Sequence, residues 1–317
     1  VKVADGDARV RAGPLAVSPP VARALAEGRP VVALESTLVT HGLSWPSNLE
    51  AARRSEAAVA QSGAQPATIA LHAGRLLVGL DDTTLEQLAR AESPRKASRA
   101  TLALALAGGG WAGTTVSATM IAAQRAGIRV FATGGIGGVH RGGARTLDIS
   151  ADLDELARTP LVVVCSGPKS ILDVDLTLEY LETRGVPLVG WGTRELAGFY
   201  SVGSGRQLTG AVADEAEAAT LARAQWSLGL EGSIVVAAPV PAAAGLDRAE
   251  ADAVIERAIR EADEAGIHGQ ASTPWVLARV AQLTDGRSVA ANLALIENNA
   301  RVAGLIAGQL AIGATKG

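Results

Sequence analysis

Residues 161–165 form an uninterrupted run of five apolar residues, halted by Ser166-Gly167-Pro168-Lys169. A run without polar alternation is the pattern of a central strand buried on both faces, which requires helices above and below it. The same design recurs at residues 31–34, ended by Glu35-Ser36-Thr37, and residues 233–237, apolar after Ser233, read as another buried strand, broken by Pro239. Helical segments lie between these runs, and the β-α-β alternation across residues 113–133 argues for a parallel sheet layered with helices. The expected fold is therefore a single α/β domain over residues 21–317: three layers, α/β/α, around a mixed, mostly parallel sheet. Residues 66–71 and 75–80 flank His72-Ala73-Gly74 as a small β ribbon. Residues 1–20 are charged, punctuated by Gly and Pro and aperiodic, and are expected to be a flexible arm.

Local signals add detail. Asn48 is expected to N-cap the helix ending at Gln61, Lys96-Ala97-Ser98-Arg99 to open an Ala/Leu helix, Asp214 with Glu217 to form a capping box, and Ser288 to cap the last helix. Residues 201–208, polar and rich in Gly, are expected to be a mobile cover over a site.

Composition narrows the function. With 48% hydrophobic residues in 317, the chain can fill a large core, as an enzyme-sized protein does. A net charge of -3 without a basic run removes the electrostatic footprint of a nucleic-acid binder. Five Trp, two Tyr and two Phe are too few for base-stacking platforms. No apolar run reaches transmembrane length. The lone Cys165 excludes an internal disulfide and fits a reducing cytoplasm.

Chemistry concentrates between Phe131 and Ser170. Six glycines follow Thr133 within ten residues, so the backbone can turn tightly and present bare N–H groups to an anion. The loop continues into Val139, His140 and Arg141, which is not the dinucleotide fingerprint. His140 alone reads more readily as a structural histidine than as a catalytic one. Lys169, at the carboxyl end of the apolar run, stands where ligands bind in open α/β sheets. A partly desolvated amine there can attack a sugar carbonyl; the alternative is a surface lysine closing a loop. Glu35 follows four apolar residues and suits a general acid if unpaired, or a partner of arginine if not. Gly113-Thr114-Thr115-Val116-Ser117 offers hydroxyls and N–H groups at a helix start, which serve a phosphate or a cap. Lys96 would welcome the same phosphate. Asparagine Asn292, if turned inward, could read a heterocycle edge.

Several unusual strings recur in order: ALESTLVTHG (33–42), KASR (96–99), GTTVSATM (113–120), FATGGIGGVHRG through DISADL (131–153), CSGPKSILD (165–173), STPW (272–275) and NLALIENNAR (292–301). Together they resemble the pseudouridine-5'-phosphate glycosidase family, over nearly the whole chain beyond the arm. Members make or break a carbon-carbon bond between C1 of ribose 5-phosphate and an aromatic ring. Such a bond needs an electron sink rather than protonation of a leaving oxygen. The resemblance implies that Lys169 forms the imine with the sugar, that Glu35 is the proton donor, and that Asp148 holds manganese. It also implies substrate contacts from Ser150, Ala151 and Asp152, sugar and phosphate contacts from Lys96, Val116 and His140, and a base contact from Asn292. A homotrimer is implied as well.

The sequence departs from the family in the cover loop, where an arginine and a His-Arg pair are missing. Trp45, Trp191 and Trp275 stand where smaller aromatics are usual. Fewer polar groups and more indole favour a polycyclic aromatic acceptor, since it offers faces rather than edges. The expectation is thus a C-glycosynthase attaching ribose 5-phosphate to a natural-product aglycone, as in alnumycin-type C-ribosylation. The alternative is a pseudouridine-5'-phosphate glycosidase acting on uracil. A non-catalytic phosphosugar-binding protein and a Schiff-base aldolase are further alternatives.

Overall fold

The computed structural model describes residues 13–267 and 272–314. Residues 1–12 of the expected arm, and the side chains of Ser272, Thr273 and Pro274, lie outside the described residues. The chain opens with β1 (Leu15–Val17), α1 (Pro19–Ala26) and β2 (Val31–Leu34). One π-helical turn (Leu38–Gly42) precedes α2 (Ser47–Gln61), β3 (Gln65–His72), β4 (Arg75–Val78) and α3 (Asp82–Ala89). Then come β5 (Arg95–Ala97), α4 (Leu102–Gly108), β6 (Ala112–Thr114), α5 (Val116–Ala126) and β7 (Val130–Ala132). The middle holds α6 (Gly143–Thr146), α7 (Ala151–Leu156), β8 (Val162–Cys165), α8 (Val174–Thr183) and β9 (Leu188–Trp191). The last third holds β10 (Gly210–Val212), α9 (Glu215–Ser227), β11 (Ile234–Ala237), α10 (Arg248–Glu264), α11 (Ser272–Leu283) and α12 (Arg287–Ala314).

The sheet runs β1-β4-β3-β2-β7-β8-β11-β9-β10, with β6 pairing β3 and β5 pairing β6. Every ladder is parallel except those of β3 with β4 and with β6, so the sheet is mixed and mostly parallel, as expected. The ribbon of the sequence reading is the β3–β4 hairpin, in register from Ile69↔Val78 to His72↔Arg75.

The apolar runs explain the layering. In β8, Val163 and Cys165 join one core while Val162 and Val164 join the core on the opposite face. The strands β2 and β11 divide in the same way. Each such valine contributes about 1.5–3 kcal/mol by burial, so a polar residue on either face would cost the sheet a layer. α5 and α7 supply residues to the first core, and α2, α9 and α12 to the second. Among the described residues, no helix is long and apolar enough to cross a membrane.

Four local expectations change. Residues 15–17 of the expected arm pair with β4, from Leu15↔Leu76 to Val17↔Val78. Lys96 lies on β5 and not at a helix start, because that short segment is captured by β6 in the register Lys96↔Gly113. Asn48 lies inside α2, where its buried amide donates to the carbonyls of Val39 (2.8 Å) and Ala89 (2.9 Å). Ser288 likewise lies inside α12, its hydroxyl 3.0 Å from that of Thr284. The capping box at α9 forms as read: Asp214 Oδ1 accepts from the N–H groups of Ala216 and Glu217, and Glu217 accepts from that of Ala213.

Candidate active site

The carboxyl ends of β2, β5, β7 and β8 converge. β2 delivers Glu35, β7 delivers Thr133 and the glycine loop, β8 delivers Ser166 and Lys169, and β5 delivers Lys96. Glu35, Thr37, Lys96 and Lys169 line two cavities at once. These four side chains stand at a junction.

One cavity is polar. Ser98, Thr101, Thr115 and Ser117 line it beside His140, Ser150, Ala151, Asp152 and Val116. It is framed by the first turns of α5 and α7, whose helix dipoles favour an anion. Asp152 does not oppose this openly, since its two oxygens accept the backbone N–H groups of Ser117 (2.9 Å) and Gly137 (3.0 Å). Gly137 permits that approach: a Cβ there would stand 2.2 Å from Ser150 Oγ and 2.7 Å from Asp152 Oδ2. Ser150 caps α7, its Oγ accepting the Asp152 N–H at 3.3 Å.

The other cavity is largely apolar. Leu34, Leu38, Ala132, Phe199, Leu277 and Ile296 contribute to its wall, and Asn292 brings an amide to it. Asn292 and Ile296 are four residues apart on α12, so they share one face. Phe199 is held at φ 62°, a left-handed conformation that costs a bulky residue about 1–3 kcal/mol. Its ring packs against Gly135, where a Cβ would stand 2.6 Å from Phe199 Cε2.

Electrostatics differ among the ionisable groups. Burial raises Glu35 above the usual carboxylate range and Asp152 adds to the rise, while Lys169, the hydroxyl donated by Thr133 and Lys96 oppose it. Burial lowers Lys96 below an ordinary lysine, and the positive Lys169 nearby lowers it further. His41, on the π-helical turn, is lowered by burial and by Lys96. The Cys165 thiol, pushed up to about 12 by burial, is inert packing.

Two expected positions fall elsewhere. Thr114 is fully buried: its hydroxyl donates to the Ile69 carbonyl at 2.8 Å and accepts from Thr119 at 2.9 Å, so it has nothing to offer a ligand. The neighbouring Thr115 lines the polar cavity instead. Asp148 lies outside the lining of both cavities, half exposed, with Oδ2 3.9 Å from His140 Nδ1. Among the described residues no three His, Cys, Asp or Glu side chains gather as a metal-binding group. One half-exposed carboxylate suits a hard divalent cation that keeps most of its waters, rather than a closed protein cage.

Sequence reasoning missed Thr133, the hydrogen-bond partner of Glu35, and Asn299 behind it. The cover is also differently built. Residues 201–208 line neither cavity; they are tied back to residues 194–196 by Leu208 N–H to Arg194 O (2.7 Å) and Gly205 N–H to Glu195 (2.7 Å). Only Phe199, just before them, reaches the apolar cavity. None of the three tryptophans does. Trp45 is exposed under the Arg90 guanidinium, 3.8 Å from the ring centroid. Trp191 and Trp275 pack on cores.

Polar groups gathered at cavities beyond the carboxyl ends of strands stand where α/β enzymes hold their substrates, and the comparisons give the type. The model of the family described as Indigoidine synthase A like protein matches residues 20–309, and the chain belongs to that family, one of C-glycosidase type. The pseudouridine-5'-phosphate glycosidase of Caldanaerobacter subterraneus subsp. tengcongensis is 52% identical over 294 residues, covering 93% of this chain and 96% of its own length. That of Cupriavidus pinatubonensis is 51% identical over 297 residues, with coverages of 94% and 95%. Among solved structures, the prealnumycin C-glycosynthase AlnA in complex with ribulose 5-phosphate superposes with a TM-score of 0.89 at 41% identity, over 96% of this chain and 100% of that one. An indigoidine synthase A-like protein of Thermotoga maritima superposes with 0.84 at 36% identity, over 94% and 96%.

These relationships favour the uracil alternative over the larger aglycone. Relatives at 51–52% identity carry the glycosidase name, whereas the C-glycosynthase stands at 41%. The physical ground for the larger acceptor also falls away, since the indoles lie outside the cavities.

Proposed function

We propose that the protein is a pseudouridine-5'-phosphate glycosidase, which interconverts pseudouridine 5'-phosphate and water with ribose 5-phosphate and uracil. The observation that carries this reading is the junction of Glu35, Lys96 and Lys169 between an anion-favouring cavity and an apolar one. The sugar phosphate would occupy the first and the base the second, with the bond between them at the junction. Asn292 would pair with an edge of uracil.

In the bond-forming direction, the Lys169 amine condenses with the C1 aldehyde of open-chain ribose 5-phosphate and releases water. C5 of uracil then adds to the iminium carbon, and the C5 proton passes to the Glu35 carboxylate. The sugar hydroxyl recloses the ring and displaces the amine. Cleavage is the reverse: Glu35 gives its proton to C5 as the carbon-carbon bond breaks, and water hydrolyses the imine. A carboxyl raised by burial holds that proton at a higher pH than a solvated one. Lys96, His140 and the Ser150–Asp152 turn would hold the sugar and its phosphate.

Asp148 would hold the divalent cation, manganese by resemblance, and the bound ion would supply positive charge near the sugar phosphate. Assembly as a trimer is part of the same reading; the exposed Leu104, Leu147 and Leu228 offer apolar surface for it. The likeness to AlnA favours a second reading, bond formation with a larger aromatic acceptor. The discriminating test incubates the protein with manganese, ribose 5-phosphate and uracil. Pseudouridine 5'-phosphate in the chromatogram, identified by mass, supports the first reading. A borohydride-trapped sugar adduct on Lys169 without that product would support the second.

A further inference from the structure

Asn299 sits on α12 one helical turn beyond Ile296 and two beyond Asn292, and it is fully buried. It does not touch either cavity. Its Nδ2 donates to the Thr133 carbonyl at 2.9 Å, and lies 3.1 Å from Ser166 Oγ, whose hydroxyl is in turn 3.3 Å from Asn299 Oδ1. Thr133 ends β7 and Ser166 ends β8, and the Ser166 N–H bonds the Gly134 carbonyl at 2.9 Å. A single amide therefore ties together the two strand ends that carry the Glu35 partner and, three residues on, Lys169. The Thr133 hydroxyl then donates to Glu35 Oε1.

A buried asparagine with three polar partners, the carbonyls of Thr133 and Gly134 and the Ser166 hydroxyl, is costly unless its bonds are made, and here nothing in the apolar second core requires an amide. Its partners are all strand-end groups of the active site. We propose that Asn299 is a positioning residue, which fixes the Thr133 hydroxyl on Glu35 and holds Glu35 and Lys169 at their working separation. The inference rests on the glycosidase reading for its chemistry, and on hydrogen-bond geometry alone for its structure.

Two variants and two readouts test it. Asn299→Ala is expected to lower kcat about 100-fold through misplacement of the reacting groups, with little change in KM for the sugar phosphate. Thr133→Val removes the hydroxyl directly. A hydroxyl donated to a carboxylate favours its charged form, so both variants should move the Glu35 titration upward. That titration is read by infrared difference spectroscopy against Glu35→Gln. Lys169, Lys96 and Asp152, the charged groups facing Glu35, are unchanged in each variant. The double variant should shift it no further than Thr133→Val alone.

If Asn299→Ala leaves both the titration and kcat at wild-type values, Asn299 is only a packing residue and the inference is overturned. Lower thermal stability with an unmoved titration overturns it equally. Asn299→Ser serves for the same measurement where the alanine variant does not fold. A wild type inactive on pseudouridine 5'-phosphate would remove the functional reading, while the Glu35 titration would still decide on the clamp.

Discussion

Asp152 and Ser117 join two helix starts: Asp152 Oδ1, in the first turn of α7, accepts the Ser117 N–H, in the first turn of α5, at 2.9 Å. The other Asp152 oxygen accepts the Gly137 N–H at 3.0 Å. One carboxylate thus shapes the whole polar cavity. Asp152→Ala leaves two donors without a partner in a buried setting, at about 1.5–3 kcal/mol for each bond to a charged acceptor. Calorimetry should register a fall of several degrees in Tm, and the affinity for ribose 5-phosphate should weaken. An unchanged Tm would mean that solvent replaces both bonds.

Lys169→Met should eliminate the borohydride-trapped adduct with ribose 5-phosphate and lower turnover by roughly 10⁶-fold, the scale on which loss of a covalent nucleophile is felt. Lys96→Met should retain the adduct at saturating sugar and require more sugar to reach it. Adduct formation in Lys169→Met, followed by mass spectrometry, would transfer the nucleophile to another residue.

The pH dependence has a definite sign. Burial raises Glu35 in the folded state above the unfolded value of 4.5. The folded protein therefore binds the extra proton, and stability falls as pH rises from 4.5 through the folded pKa. Glu35→Gln lacks this loss, so above that window it should match or exceed wild type in denaturant unfolding, although it is inactive. Cleavage by wild type should decline over the same window as Glu35 loses the proton that it donates.

Gly135→Ala is predicted to push Phe199 aside, because the new methyl would lie 2.6 Å from the ring and 3.0 Å from the Gly167 carbonyl. Overpacking of this kind costs about 1–3 kcal/mol. In the synthetic direction, KM for uracil should rise while sugar trapping by Lys169 stays intact.

Chelation with EDTA should lower turnover, and added manganese should restore it. Asp148→Ala should have the same effect as chelation and resist that rescue. Full activity of Asp148→Ala in chelator would remove the cation from the scheme.

Strand ends were the most readable part of this chain. Glu35 and Lys169 follow runs buried on both faces, and a polar residue at such a boundary is visible without any structure. The sheet class followed from the same runs. What the sequence concealed were choices settled at long range. Asn48 and Asn299 look like a cap and an exposed amide, yet each is turned inward by partners distant in the chain, such as Ala89 and Thr133, while Ser288 is bonded to Thr284 one helical turn back. Lys96 precedes a helix-forming Ala/Leu stretch, but β6 claims it for a strand. Thr114 and Thr115 are adjacent and chemically identical, and only the turn into α5 decides which hydroxyl faces the cavity. The tryptophans misled because an indole is as useful for packing on a sheet edge as for stacking on a ligand.

The junction between the two cavities divides the protein's evolvable parts. The lysine, the carboxylate and the phosphate-facing turns belong to strand ends and helix starts, where a substitution disturbs the sheet. Part of the apolar cavity's wall, Phe199, Leu277, Asn292 and Ile296, comes instead from the Phe199 loop, α11 and α12, where single side chains can change without touching Glu35 or Lys169. Under the glycosidase reading, a lineage could therefore exchange one aromatic partner for another by changing these few side chains, while inheriting the polar half of the junction unchanged.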